Sequence, residues 1–394
     1  MNQNFEVSLM GSMPRSTKIL KANRDLQKGR ISLEEYNQLI ENETKFIIEL
    51  QDSYDVDYIV SGELARDNYV SFVAKHLQGV KMMSMSEMLE FIEDKKAFEN
   101  MLEILDVPAT TIKNAICVEK VTRKKSLVGQ ELDYMYKFSN SKKKITLPGP
   151  YLMTRSMWLN GISNNYYNSK EELGTDIIRI LTDEVADLQK RGVDIIQFDE
   201  PVLTEVVFSP ENTRTFMCAS LSEKKDPTEE LAFAKHLIKS VFNHIDRSKS
   251  KIGLHVCRGN WSKNEEILLE GPYTPLLDLF EYVNADIYYL EFSTERAGDL
   301  SSLFNNNHIF DSSILGLGVM NPRSDKTESK EIIIKRVMEA SKYIPLEQIH
   351  LNPDCGFATF AQKPVNDFEH IKEKLKVLKE VKEELRENYE KHYS

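Results

Sequence analysis

Histidine, cysteine and carboxylate side chains recur in this chain at the ends of short β-rich runs. His255-Val256-Cys257 places an imidazole and a thiol on the same side of an extended strand, because side chains alternate with a period of two. Imidazole and thiolate together suit zinc. Glu291 ends the next strand-like run, and Cys355 follows Asn352-Pro353-Asp354 near the end of the last. One histidine, two cysteines and one carboxylate would complete a tetrahedral shell, with the carboxylate the natural ligand to yield to an incoming thiol. Alone, the His-x-Cys pair is also compatible with chance, since buried cysteine commonly serves as a small hydrophobe. Cys117 and Cys218 have no histidine or carboxylate partner and read as structural.

Those residues need elements that bring them together. The β-like runs are Val7–Met10, Tyr58–Ser61, Ile116–Val121, Lys144–Leu147, Asp194–Phe198, Lys251–Val256, Ile287–Phe292, Ile314–Val319 and Gln348–Asn352. Amphipathic helices lie between several of them. Glu171–Lys190 carries Ile177, Ile178, Leu181, Val185 and Leu188 on one face. Asp226-Pro227 reads as an N-cap with proline at the first helical position. A lysine- and glutamate-rich helix from about Val365 to His392 carries Ile371, Leu375, Leu378 and Val381 on one side. Alternating strands and helices imply parallel strands joined by crossovers. The expected fold is therefore α/β, a single (β/α)₈ TIM barrel over residues 1–394 with rim excursions and a C-terminal helix. Nine runs compete for eight places. Thr122–Asn140 and Val206–Lys225 break the rhythm and are expected as excursions over the rim. In such a barrel the C-terminal strand ends converge on one face, where active sites form. Gly11-Ser12, Glu63, Pro148-Gly149-Pro150, Asp199-Glu200, His255 with Cys257, Glu291 and Asp354-Cys355 all fall at such ends.

Composition narrows the partners. At 394 residues and 41% hydrophobic, the chain can bury a sizeable core. Its formal net charge of -11 argues against nucleic acid or an anionic membrane as the main partner. Two basic runs, Arg123-Lys124-Lys125 and Lys142-Lys143-Lys144, are expected as solvated edges or loops. No apolar run approaches the ~20 residues needed to span a bilayer, and the N-terminus has no signal-peptide pattern. Four cysteines are too few for a disulfide framework and point to the reducing cytosol. Oligomeric state is not legible.

The motifs resemble the catalytic C-terminal half of cobalamin-independent methionine synthase, including the shorter single-barrel members of that group. They are Met10-Gly11-Ser12-Met13-Pro14, Gly62-Glu63 with Arg66, Leu147-Pro148-Gly149-Pro150, Ile196-Gln197-Phe198-Asp199-Glu200-Pro201 with Glu205, His255-Val256-Cys257, Leu290-Glu291 and Asn352-Pro353-Asp354-Cys355-Gly356. The resemblance implies that His255, Cys257, Glu291 and Cys355 hold Zn2+. It implies that Gly11, Ser12, Glu63 and Asp199 bind homocysteine, and that Glu205 faces the methyl donor. Carboxylates such as Glu63 and Asp199 suit an ammonium group, and the N–H groups of a Gly-Ser turn suit a carboxylate. Other readings stay open: Glu63 could pair with Arg66 at helical spacing, Asp199-Glu200 before Pro201 could form a rim turn, and Gly149 could simply form a turn.

The donor half matches less well. The long synthases carry a histidine as proton donor in a stretch that here reads Gly318-Val319-Met320-Asn321-Pro322-Arg323-Ser324, with no histidine; His308 lies before that strand. Arg323 stays charged and cannot serve as the acid. Around Ile116–Lys125 there is no counterpart of the family's Arg-Cys folate contact, and Trp158 sits at a different offset from Pro150. The expected function is a zinc-dependent methyltransferase making methionine from homocysteine, the donor being 5-methyltetrahydrofolate or a related carrier. Alkyl transfer to a different thiol and a non-catalytic homocysteine-binding paralogue are the alternatives.

Overall fold

The computed structural model describes residues 5–91, 95–96, 113–208, 226–305, 307–361 and 364–393. Seven strands form one parallel sheet in the order β1 (Tyr58–Ile59), β4 (Lys142–Pro148), β5 (Ile195–Asp199), β6 (Lys251–Val256), β7 (Ile287–Glu291), β8 (Ile314–Met320) and β9 (Ile349–Pro353). The sheet closes through the N-terminal segment: Val7 bridges Leu351 and Ser8 bridges Tyr58, both in parallel. This segment is the eighth stave of an α/β barrel. The ninth run is Ile116–Val121. It lies in β3 (Lys113–Arg123), which pairs antiparallel with β2 (Leu77–Ser84) in a separate two-stranded sheet. Glu119 and Lys120 are exposed there, whereas a parallel barrel strand is covered on both faces.

The helices follow their sequence signals. Ser169 caps the helix Lys170–Lys190, whose Ile177, Leu181, Val185 and Leu188 are buried while Ile178 is half-buried. Asp226 accepts from the amides of Thr228 and Glu229 at the start of Pro227–Phe242. The helix Phe368–Tyr393 buries Ile371, Leu375, Leu378 and Val381. It also grips the closing seam: Lys382 Nζ donates to Asp57 Oδ2 at 3.0 Å, and that oxygen accepts from the Val7 amide at 2.7 Å.

Two expectations need correction, and a third lies mostly outside the described residues. Thr122–Asn140 is not a rim excursion throughout, because Gly129–Phe138 is a helix with Leu132, Tyr134 and Met135 buried, packed against the helix Leu33–Ser53. Of the expected excursion Val206–Lys225, residues 209–225 lie outside the described residues, as does Cys218; Val206–Phe208 complete the helix Val202–Phe208. Finally, Lys142-Lys143-Lys144 is not a solvated edge. It opens β4, and Lys143 and Lys144 are buried. Lys144 Nζ donates to Ser8 Oγ at 2.9 Å and sits 4.2 Å from the centroid of the Tyr289 ring. In the other basic run Lys124 and Lys125 are exposed, but Arg123 is tied to Glu184 at 2.6 Å and Asp187 at 2.7 Å.

Candidate metal and thiol site

At the C-terminal ends of β6 and β9, His255, Cys257 and Cys355 bring their ligand atoms within 4.8 Å of one another, and all three are buried. His255 ends on the inner face of β6, Cys257 follows two residues later, and Cys355 follows two residues after β9. They lie on the wall of a cavity of about 570 Å³, counted to its open mouth, with Met10, Ser12, Glu63, Tyr69, Asp199, Asn260 and Trp261 also contributing.

The three groups act strongly on one another. Burial pulls the His255 imidazole down, but the Asp199 hydrogen bond and the negative charges of Cys257 and Asp199 lift it to about 9. A hydrogen bond from Cys355 lowers the Cys257 thiol, and the nearby His255 adds to this against burial. The same contact and burial raise Cys355. Two thiols and an imidazole converging in a buried pocket fit a tetrahedral divalent ion. His255 Nδ1 is held by Asp199 Oδ1 at 2.8 Å, and that oxygen also accepts from Gln197 Nε2 at 2.7 Å. A carboxylate behind a ligating histidine fixes its ring orientation and raises its basicity.

Glu291, the fourth expected ligand, is buried beside the trio but not gathered into it. Its Oε2 accepts from the Arg258 amide at 3.0 Å, while its Oε1 is buried with no hydrogen-bond partner. A buried carboxylate oxygen without a hydrogen-bond partner is what a metal ligand can offer.

The expected substrate residues divide. Glu63, Ser12 and Asp199 line the cavity; Gly11 does not. Gly11 has φ +130°, and a Cβ there would stand 2.1 Å from Glu63 Oε1, so glycine makes room for that carboxylate. Glu63 itself has φ 57°, accepts from Thr146 Oγ1 at 2.6 Å and lies 3.4 Å from Arg66. Glu63 thus pairs with Arg66 and also faces the cavity. Burial raises its carboxyl, with Arg66 opposing. Asp199-Glu200 is not a rim turn. Glu200 is fully buried, accepts from the amides of Tyr151 and Leu152 at 2.8 Å each, and so caps the helix Pro150–Met157. Gly149 is more than a turn former, since a Cβ there would lie 2.1 Å from Glu200 Oε1.

Glu205 is buried 3.4 Å from Arg155 and is not among the cavity-lining residues. Trp158 is likewise apart, donating to Asn160 Oδ1 at 2.8 Å. His308 is exposed and paired with Asp311. Cys117 is buried and donates to the Glu119 carbonyl at 3.1 Å, as a structural cysteine would.

Several contributors were not singled out in the sequence. Arg15 is buried and donates to the carbonyls of Ala358, Glu63 and Arg66 at 2.5, 2.8 and 2.9 Å, tying three site loops together. Asn260 donates to the Gly356 carbonyl at 2.7 Å and to Thr359 Oγ1 at 2.8 Å. Tyr69, Trp261 and Phe360 supply an aromatic wall. The only available signal was position, each lying within a few residues of a strand-end motif.

Residues 5–377 match the family described as "Cobalamin-independent synthase, Catalytic domain". The chain is 25% identical over 382 residues to a 5-methyltetrahydropteroyltriglutamate--homocysteine methyltransferase of Buchnera aphidicola, an alignment that covers 96% of this chain and 44% of that protein. It is 24% identical over 351 residues to a methionine synthase of Thermococcus kodakarensis, covering 89% and 85%. The chain thus spans less than half the length of the Buchnera relative. A solved B12-independent methionine synthase from Shewanella sp. W3-18-1, in complex with selenomethionine, superposes with a TM-score of 0.69 at 18% identity, covering 98% of each chain.

Proposed function

The chain belongs to the cobalamin-independent synthase catalytic-domain family, and from that premise we propose that it is a zinc-dependent methyltransferase that methylates the thiol of homocysteine to give methionine. The observation that carries the proposal is the convergence of His255, Cys257 and Cys355 in a cavity that also exposes Glu63 and Asp199. In this reading the three residues hold zinc together with Glu291. Zinc, when bound, supplies the positive charge that keeps an acceptor sulfur as a thiolate at neutral pH, the nucleophilic form.

The chain's own residues do the rest. Glu63, fixed by Thr146 and Arg66, takes the ammonium group of the acceptor, and Asp199 holds His255 in register while facing the same cavity. Ser12 serves the carboxylate end. These two acids favour an amino-acid thiol over a thiol sulfonate, which they would repel. The donor is 5-methyltetrahydrofolate or a related methyl carrier, with Glu205 on its side of the site. One barrel domain over residues 1–394 carries all of this.

The test is to incubate zinc-loaded protein and homocysteine with methyltetrahydrofolate, its polyglutamate or methylcobalamin, and to read methionine by mass spectrometry. Methionine is expected with at least one donor. None with any donor, despite stoichiometric zinc, would overturn the proposal.

A further inference from the structure

Three guanidinium groups converge on one carboxylate beside the thiol cluster. Arg258 Nη1 lies 3.7 Å and Arg296 Nη2 3.8 Å from Glu291 Oε2, and Arg323 Nη1 lies 3.8 Å from Glu291 Oε1. All three separations exceed hydrogen-bond length. Glu291 Oε1, Arg296 Nη2 and Arg323 Nη2 are each buried without a hydrogen-bond partner. Buried polar atoms are normally paired, so the unpaired Glu291 Oε1 and Arg296 Nη2, each 3.8 Å from an oppositely charged group, mark an interaction that is prepared but not closed, while Arg323 Nη2 lies 4.0 Å from Asp354 Oδ2.

The arginines are anchored on their far sides. Arg296 donates from Nε to Glu265 at 2.6 Å and from Nη1 to the Leu269 carbonyl at 2.8 Å. Arg323 donates from Nε to Glu265 at 3.0 Å and from Nη1 to Asn260 at 3.2 Å. Arg258 donates from Nε to the Gly271 carbonyl at 2.8 Å, with its guanidinium 3.8 Å over the Tyr273 ring. The movable partner is therefore the Glu291 side chain. Glu291 ends β7, the strand paired with β6, which leads into Cys257.

We propose that Arg258, Arg296 and Arg323 form a docking cradle that receives the Glu291 carboxylate when an acceptor thiol takes its place beside Cys257 and Cys355. Arg296 and Arg323 are then positioning residues for acceptor binding. The inference rests on the reading of this site as a thiol-binding metal centre. Without the cradle, a displaced carboxylate would be left charged and unpaired in a buried place, which is costly. With it, the carboxylate exchanges one set of partners for another.

The test uses the full chain loaded with Co2+ and follows visible absorption during titration with homocysteine. In the wild type the thiolate-to-metal charge-transfer band should gain intensity saturably. Arg323→Gln and Arg296→Gln should each weaken the apparent homocysteine affinity about tenfold, a loss of one good interaction. Their Co2+ affinity without homocysteine should stay level or rise, and Arg323→Lys should restore most of the response. Arg296→Gln decides the matter if Arg323→Gln fails to fold. Glutamine variants that fold, load metal and titrate like the wild type would overturn the cradle alone. Glutamine variants that lose Co2+ affinity before any thiol is added would overturn it as well, because that is the mark of a merely structural role. A wild type whose spectrum ignores homocysteine would overturn the thiol-site reading itself, and the cradle with it.

Discussion

At the scale of single residues, the site depends on side chains that hold its other members in place. Asp199 fixes His255 through a 2.8 Å hydrogen bond and is in turn held by Gln197. Replacing it with asparagine removes the charge that supports the imidazole. Asp199→Asn should lower metal affinity by about 10- to 100-fold, the usual cost of losing such a partner, measured by competition with a chromophoric chelator. Unchanged affinity would show that Asp199 serves the cavity alone. The trio itself was legible in the sequence, because histidine and cysteine at strand ends are uncommon and chemically pointed. Arg15, Asn260 and Trp261 were not, because their residue types say nothing until the loops fold over one another. Glu200 sat beside Asp199 in the same motif, and only the chain's path sends one to the cavity and the other to a helix N-terminus.

At the scale of elements, the barrel is closed by a segment that makes isolated bridges rather than a long ladder. Val7 and Ser8 join β9 to β1, and the seam is held by Asp57, which accepts from the Val7 amide and from Lys382 of the C-terminal helix. Asp57→Ala leaves both donors without that partner and should destabilise the fold by about 1–3 kcal/mol, read from the midpoint of urea unfolding. An unchanged midpoint would mean that the closing segment is held by packing. The helices were readable from their apolar stripes and caps. The barrel count was ambiguous in the sequence because Ile116–Val121 has the same β-rich character as a barrel strand. Its exposed Glu119 and Lys120 mark it as a strand of the antiparallel pair.

At the scale of the whole molecule, the barrel interior carries a buried lysine. Burial drives the Lys144 ammonium down to about 7, with Asp199 and Glu63 resisting, and Ser8 and Tyr289 are its direct neighbours. In the unfolded chain a lysine titrates near ~10.4, so between those values the unfolded state holds more protons than the folded one. Stability from this group is therefore fully present above the unfolded value and lost as pH falls toward 7. Lys144→Met should flatten the rise in stability between about pH 7 and pH 10, followed by chemical unfolding across that range; a slope identical to the wild type would contradict this. A run of three lysines looks solvated in sequence, since nothing in the run reveals that its last member points into a barrel.

The most direct measurement of the central claim is zinc-edge X-ray absorption of the loaded protein with and without homocysteine. The account predicts two sulfur, one imidazole nitrogen and one oxygen neighbour before the thiol is added, with a third sulfur replacing the oxygen after it. A shell of nitrogen and oxygen alone, or one unchanged by homocysteine, would contradict it.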